Sequence, residues 1–225
     1  MQFPSTKPTR RLAVTMAISL MAGACASTAK PIAVQSRVQS ALTLDPVTAQ
    51  RYAAIETEKF PVAAVPVEVI KPRNVRQLVD YSTTHEPGTV VVDPHNRFLY
   101  LVQAGGKALR YGVGVGREGL EFQGTATVAR KAQWPRWTPT SDMVKREPER
   151  YRKWEGGMEG SDKNPLGARA LYLFKGGKDT LYRIHGTTEP DTIGEAVSSG
   201  CIRMMNQDVI DLYGRVPTGS KVVVL

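Results

Sequence analysis

The stretch "IHGTTEPDTIGEAVSSGCIRM", residues 184–204, carries His185 and, sixteen residues later, Cys201. Beyond this pair the chain of 225 residues has one further cysteine, Cys25, and two further histidines, His85 and His95. Free cysteines are among the most buried residue types, so a core thiol beside a core histidine is the plain reading of the pair. The neighbours argue for another. Ser198, Ser199 and Gly200 are small, which lets a carbonyl carbon approach the sulfur and leaves backbone N–H groups free to polarise a developing oxyanion. A histidine within reach draws off the thiol proton and leaves a thiolate, the reactive form. "TLYRIH" reads as a strand ending at His185, and Cys201 falls between a loop and a helix. Strand ends and loops are where a rigid scaffold presents reactive side chains. Arg203 is a candidate anchor for a substrate carboxylate or a brace for the segment; a surface arginine near a helix start is the plain alternative.

Working outward, "NQDVIDLYGRV" predicts a short helix with Asn206 as N-cap and Asp208 in the first turn, where the helix dipole favours an acid. "KVVVL" closes the chain as a strand. Upstream, "TVVVD" and "RFLYLVQ" flank the turn "DPHN", a β-hairpin pattern with Pro94 and Asn96 as turn residues. "ALRYGVGVG", "GTATVAR" and "ALYLF" read as further strands. Residues 131–168 break this rhythm and hold all three tryptophans, Trp134, Trp137 and Trp154. An insert of that length in a compact domain is usually a lid or substrate loop. The tryptophans suit either stacking on sugars or pinning the loop.

Residues 26–87 are rich in Ala, Val, Ser, Thr and Pro, with prolines at 31, 46, 61, 66, 72 and 87. They predict a tether with helical pieces around Asp45–Glu58 and Asn74–Thr83. Residues 1–25 have a basic start, an apolar run from Leu12 to Ala22 and small residues before Cys25, the build of a secretory signal. "AGAC" resembles a lipobox, so lipidation of Cys25 and simple cleavage at Ala-x-Ala both stay open. Export to the periplasm or cell envelope follows. There cysteines are normally paired, and a lone Cys201 stands out as a reactive thiol.

The chain has 30 basic and 21 acidic residues; Lys7, Arg10 and Arg11 lie in the leader, leaving 27 against 21 after it. The cations are scattered, so a nucleic-acid partner is not expected. "GVGREG", residues 114–119, matches G-x-G-x-x-G, but a dinucleotide site needs a helix next, and "LEFQGTATV" is extended. His85, His95, His185 and Cys201 lack close ligand spacing, so no metal site is expected.

The segment "IHGTTEPDTIGEAVSSGCIRMMNQDVIDLY" resembles the active-site segment of the L,D-transpeptidase catalytic domain, the YkuD-like family. Its pattern is histidine-glycine, a spacer, then Ser/Thr-x-Gly-Cys-x-Arg, matched by His185-Gly186 and by Ser198 to Arg203. Similarity runs back through "NPLGARALYL" and "RYGVGVGREG" to "GTVVVD", covering residues 88–225. Ser199 departs from the many members that carry histidine there. The resemblance implies a mainly β, β-sandwich-like catalytic domain with a lid-type loop and a short helix after the cysteine. It implies Cys201 as nucleophile and His185 as base. Gly200, Ser199, Ser198, Gly186 and Arg203 would form the oxyanion and substrate-binding set. The implied partners are peptidoglycan tetrapeptide stems as donor and acceptor, with no cofactor and with capture by carbapenems. Discharge by water would make an L,D-carboxypeptidase; an outer-membrane protein acceptor would make a protein-to-wall stapler. A non-catalytic wall-binding module is the reading from another class.

Overall fold

Two backbone hydrogen bonds between Gly114 and Arg203 close a curled sheet and set the architecture. The computed structural model describes residues 45–116, 122–198 and 200–225. Its strands are β1 (Gln77–Asp80), β2 (Val90–Asp93), β3 (Phe98–Gln103), β4 (Lys107–Gly112), β5 (Val115–Gly116), β6 (Gly124–Gln133), β7 (Arg169–Lys175), β8 (Lys178–His185), β9 (Ala196–Ser198), β10 (Ile202–Arg203) and β11 (Lys221–Val224). Its helices are α1 (Pro46–Arg51), α2 (Ser141–Arg146), α3 (Pro148–Tyr151) and α4 (Asn206–Arg215).

Nine strands form one sheet in the order β1-β4-β3-β2-β11-β6-β7-β8-β10, while β5 and β9 pair separately. The pairings β11–β2 and β10–β8 are parallel and the rest of the nine-strand ladder is antiparallel. β4 stands second and β10 ninth, yet Gly114, just past β4, donates to the Arg203 carbonyl at 2.9 Å and accepts from its N–H at 2.8 Å. A flat sheet would hold those strands tens of ångströms apart. The sheet therefore folds over itself, and Val92, Leu99 and Tyr111 join one core with Leu171, Ile184 and Ile202. That is the β-sandwich-like fold expected from the sequence.

The hairpin of β2 and β3 forms as its sequence predicts, with Asp93 Oδ1 accepting the Asn96 N–H at 2.9 Å across the turn. Val90, Val91 and Val92 are all fully buried, as in a strand covered on both faces. α4 sets Val209 and Leu212 into the core at i and i+3, and Val216, just past its end, joins them there. Asn206 is its first residue rather than its N-cap, which is Met205; its amide is used elsewhere.

Two expectations give way. The described part of the expected tether, from Asp45, is folded onto the sheet. Tyr52, Val65 and Ile70 are buried in a cluster with Ile193 and Met205, and Val62 packs with Trp134 and Ala168. Burial of each such side chain stabilises the fold by roughly 1.5–3 kcal/mol, and a composition rich in proline hides this apolar payload. The helix expected around Asn74–Thr83 is instead β1, paired antiparallel with β4 at the edge of the sheet and largely exposed. Within the 131–168 insert, Lys131 to Gln133 extend β6, and α2, α3 and a bridge between Trp137 and Met158 give the rest structure. Among the described residues no helix is long and apolar enough to cross a membrane. The leader and Cys25 lie outside the described residues.

Candidate active site

The parallel register of β10 on β8 brings the sequence-predicted pair together. Ile202 lies opposite Ile184 and Arg203 opposite His185, which sets Cys201 beside Arg183. Side chains two apart in a strand share a face, so His185 and Arg203 present the same side as Arg183 and Cys201. The ladder continues past the strand, with the Met204 N–H donating to the His185 carbonyl at 2.8 Å. A separation of sixteen positions in sequence is thereby reduced to neighbouring strands.

His185 is buried, and its Nδ1 lies 2.6 Å from the Gly186 carbonyl. A carbonyl only accepts, so a neutral ring carries its proton on Nδ1 and leaves Nε2 as a free base. Burial holds the imidazole down to about 4, against the Gly186 carbonyl, which favours the charged ring; the Arg203 and Arg183 guanidiniums push it further down. Cys201 is half-buried, with Sγ 3.8 Å from the Leu181 carbonyl. Burial pushes the thiol up, while the Arg183 backbone N–H and the Arg183 and Arg203 charges pull it down. The resting pair is thus a neutral imidazole and a thiol. Leu181 sits at φ 65 in a bulge of β8. A left-handed leucine is uncommon, and here it turns its carbonyl toward the sulfur.

Around the nucleophile, Gly200 takes φ 123, a region that favours glycine. Its N–H donates to Ser198 Oγ at 3.1 Å, and that hydroxyl donates to the Cys201 carbonyl at 2.6 Å. Ser198 is therefore a clasp for the nucleophile loop, and the Gly200 amide is engaged in this geometry. Ser199 lies outside the described residues. Arg203 is held by Glu189, Nη1 to Oε2 at 2.9 Å.

A cavity of about 380 Å³ opens over the pair, lined by His185, Cys201, Ser198 and Arg203 on the sheet side and by residues of the 134–168 segment opposite. The three tryptophans take different places. Trp137 and Trp154 line the cavity. Trp134 is buried, meets Phe60 edge-on at 5.2 Å and donates from Nε1 to Glu58 Oε2 at 3.0 Å. It pins the segment to the N-terminal residues.

Sequence reasoning missed Asn206 as part of the site. Its Oδ1 accepts the Ala168 N–H at 2.9 Å and its Nδ2 donates to the Thr187 carbonyl at 3.0 Å. The amide thus staples the end of the 134–168 segment to the residue after His185-Gly186. A Cβ on Gly186 would come 2.1 Å from Asn206 Oδ1, which explains glycine after the histidine. Asn164 is the second missed residue: its Nδ2 reaches the carbonyls of Pro135, Met158 and Glu159, each at 3.1 Å, and its Oδ1 accepts from Leu166 N at 2.9 Å. The local sequence offered Asn206 only as a helix cap and did not single out Asn164. Residues 117–121, which include the end of "GVGREG", lie outside the described residues, and the next element after them is the strand β6. Among the described residues no three His, Cys, Asp or Glu side chains cluster as metal ligands.

The family model for the L,D-transpeptidase catalytic domain, YkuD, matches residues 87–224. The probable L,D-transpeptidase YbiS of Escherichia coli K12 is 32% identical over 149 residues, covering 65% of this chain and 47% of that protein. The probable L,D-transpeptidase ErfK/SrfK of the same strain is 31% identical over 163 residues, covering 72% and 48%. This chain thus spans about half the length of these curated relatives. A solved structure described as a probable carnitine operon oxidoreductase from Brucella melitensis is 54% identical, with a TM-score of 0.49, covering 69% of this chain and 96% of that one. The match across residues 87–224 takes in the whole Cys201–His185 site, and the chain belongs to the L,D-transpeptidase catalytic-domain family.

Proposed function

We propose that this chain is an exported peptidoglycan L,D-transpeptidase acting through a Cys201 thioester. The observation that carries the reading is the β8–β10 register, which sets Cys201 and a neutral, carbonyl-tethered His185 on one face under a cavity. His185 Nε2 takes the thiol proton as Sγ attacks the carbonyl joining the diamino-acid residue to the terminal D-Ala. The tetrahedral oxyanion is met by the Cys201 N–H, joined by the Gly200 N–H once it turns from Ser198. Collapse breaks the C–N bond, and His185 gives its proton to the departing D-Ala amine. The side-chain amine of a second stem then attacks the thioester, loses its proton to His185 and frees the thiol, leaving a 3→3 cross-link. Every proton is passed through one ring, so no cofactor is called on.

The test incubates the purified chain and its Cys201→Ala variant with disaccharide-tetrapeptide and reads products by mass spectrometry. Release of D-Ala with a cross-linked dimer, absent in the variant, is expected. D-Ala with only tripeptide would replace the reading with an L,D-carboxypeptidase or a missing protein acceptor. Neither D-Ala nor a Cys201 adduct would overturn it in favour of a wall-binding module.

A further inference from the structure

Four charged side chains line the cavity over Cys201: Arg150, Lys153, Glu189 and Arg203. Glu189 is the one carboxylate, and it is already committed to Arg203 at 2.9 Å, with Arg150 Nη2 at 4.0 Å from its other oxygen. Arg150 also has Glu147, outside the cavity lining, at 3.5 Å. With His185 neutral and Cys201 a thiol, the cavity holds three cations against one anion. Lys153 is the least compensated. Among the described residues it has no carboxylate at ion-pair distance, and its ammonium stands 5.6 Å from the Trp154 ring centroid, whose indole lines the same cavity. Trp137, Tyr151 and Trp154 are low-dielectric walls around these charges, and such walls focus a field on a bound anion.

The cations have different stations. Arg203 belongs to β10 at the nucleophile, opposite His185 in the register. Arg150 and Lys153 belong to the segment across the cavity, away from the strand scaffold. We propose that Lys153 and Arg150 form a subsite for a carboxylate of the donor stem, so that a stem with free carboxylates is preferred over the same stem amidated. This rests on the L,D-transpeptidase reading of the site. Amidation keeps the shape but removes the charge and sets N–H donors against the donors of Lys153 and Arg150. Both cations are exposed, so each contact is partly screened, and the expected preference is about fivefold rather than hundreds.

The experiment measures the dissociation constant of the full-length Cys201→Ala protein for disaccharide-tetrapeptide, free and amidated, by calorimetry at low salt and at about 0.5 M salt. The free form is expected to bind about fivefold tighter at low salt, with the preference shrinking at high salt. It should vanish in the Arg150→Gln/Lys153→Gln background and survive in Lys153→Arg. Equal affinities at low salt, no binding of either stem, or a preference kept by the double variant would each overturn the subsite. The salt series on the parent protein decides the matter even where the double variant misfolds. D-Ala release by the unmutated chain is read alongside. A binding preference without D-Ala from either stem sinks the transpeptidase reading and keeps the subsite; D-Ala release without a preference does the reverse.

Discussion

At the residue scale the resting chemistry is decided by burial. His185 is held to about 4, so it is a neutral base throughout the neutral range, and Cys201 is raised above the ordinary thiol value. The acid limb of kcat/KM is therefore expected near pH 4, with activity retained at pH 5. Alkylation of Cys201 in the free protein should keep climbing through pH 9, because only the thiolate reacts. A rate plateau below pH 7 would show a resting thiolate–imidazolium pair and refute this account. That Cys201 and His185 belong together as a candidate pair was legible in the sequence because residue types, order and spacing agree over a short stretch. Their protonation states were not, since these depend on burial by distant strands and on the Gly186 carbonyl that fixes the tautomer.

At the element scale the site is a strand pair braced by amides. Asn206 opens α4, yet its side chain reaches back to Ala168 and Thr187 and joins the cavity wall to the end of β8. Asn206→Ala removes both hydrogen bonds and leaves a buried N–H and C=O without partners. The expected cost is about 2–3 kcal/mol of stability and a fall in kcat larger than any rise in KM, since the staple orients His185 rather than touching substrate. Denaturant unfolding and steady-state kinetics check this; an unchanged kcat at full stability would remove Asn206 from the site. The strands were readable from their apolar runs and turn residues, and α4 from Asp208 in its first turn. Asn206 was misread as a cap because side-chain capping and tertiary stapling call for the same residue type. The helices and the bridge within the 131–168 insert were not legible because its order depends on Asn164, one side chain holding three carbonyls.

At the scale of the whole molecule, residues 45–80 and α4 share a polar network. Tyr52 donates to Asp208 Oδ2 at 3.1 Å, Arg76 reaches Asp211 at 2.7 Å, and Tyr111 donates to Asp211 at 2.7 Å. Asp208 is fully buried, and that burial raises its carboxyl to about 7, against the pull of Arg76 and Tyr52. The folded protein then holds a proton that the unfolded chain has released, so between pH 4 and 7 this group's contribution to stability falls as pH rises. Thermal midpoints should show the unmutated chain losing ground to Asp208→Asn between pH 5 and 8. A difference that stays constant across that range would mean Asp208 is ionised in the folded state at pH 5. None of this network was visible in a segment that composition marks as a tether. The Gly114–Arg203 closure has a consequence of its own. The N–H and C=O of Arg203 are spent on Gly114, and β8 occupies the opposite flank. Among the described residues both flanks of β10 are therefore taken, and a peptide cannot bind there by extending the sheet. Under the proposed transpeptidase reading, a D-residue, whose mirrored backbone fits an L-strand ladder poorly, would carry no handicap at such a site, because substituents rather than main-chain pairing would be read.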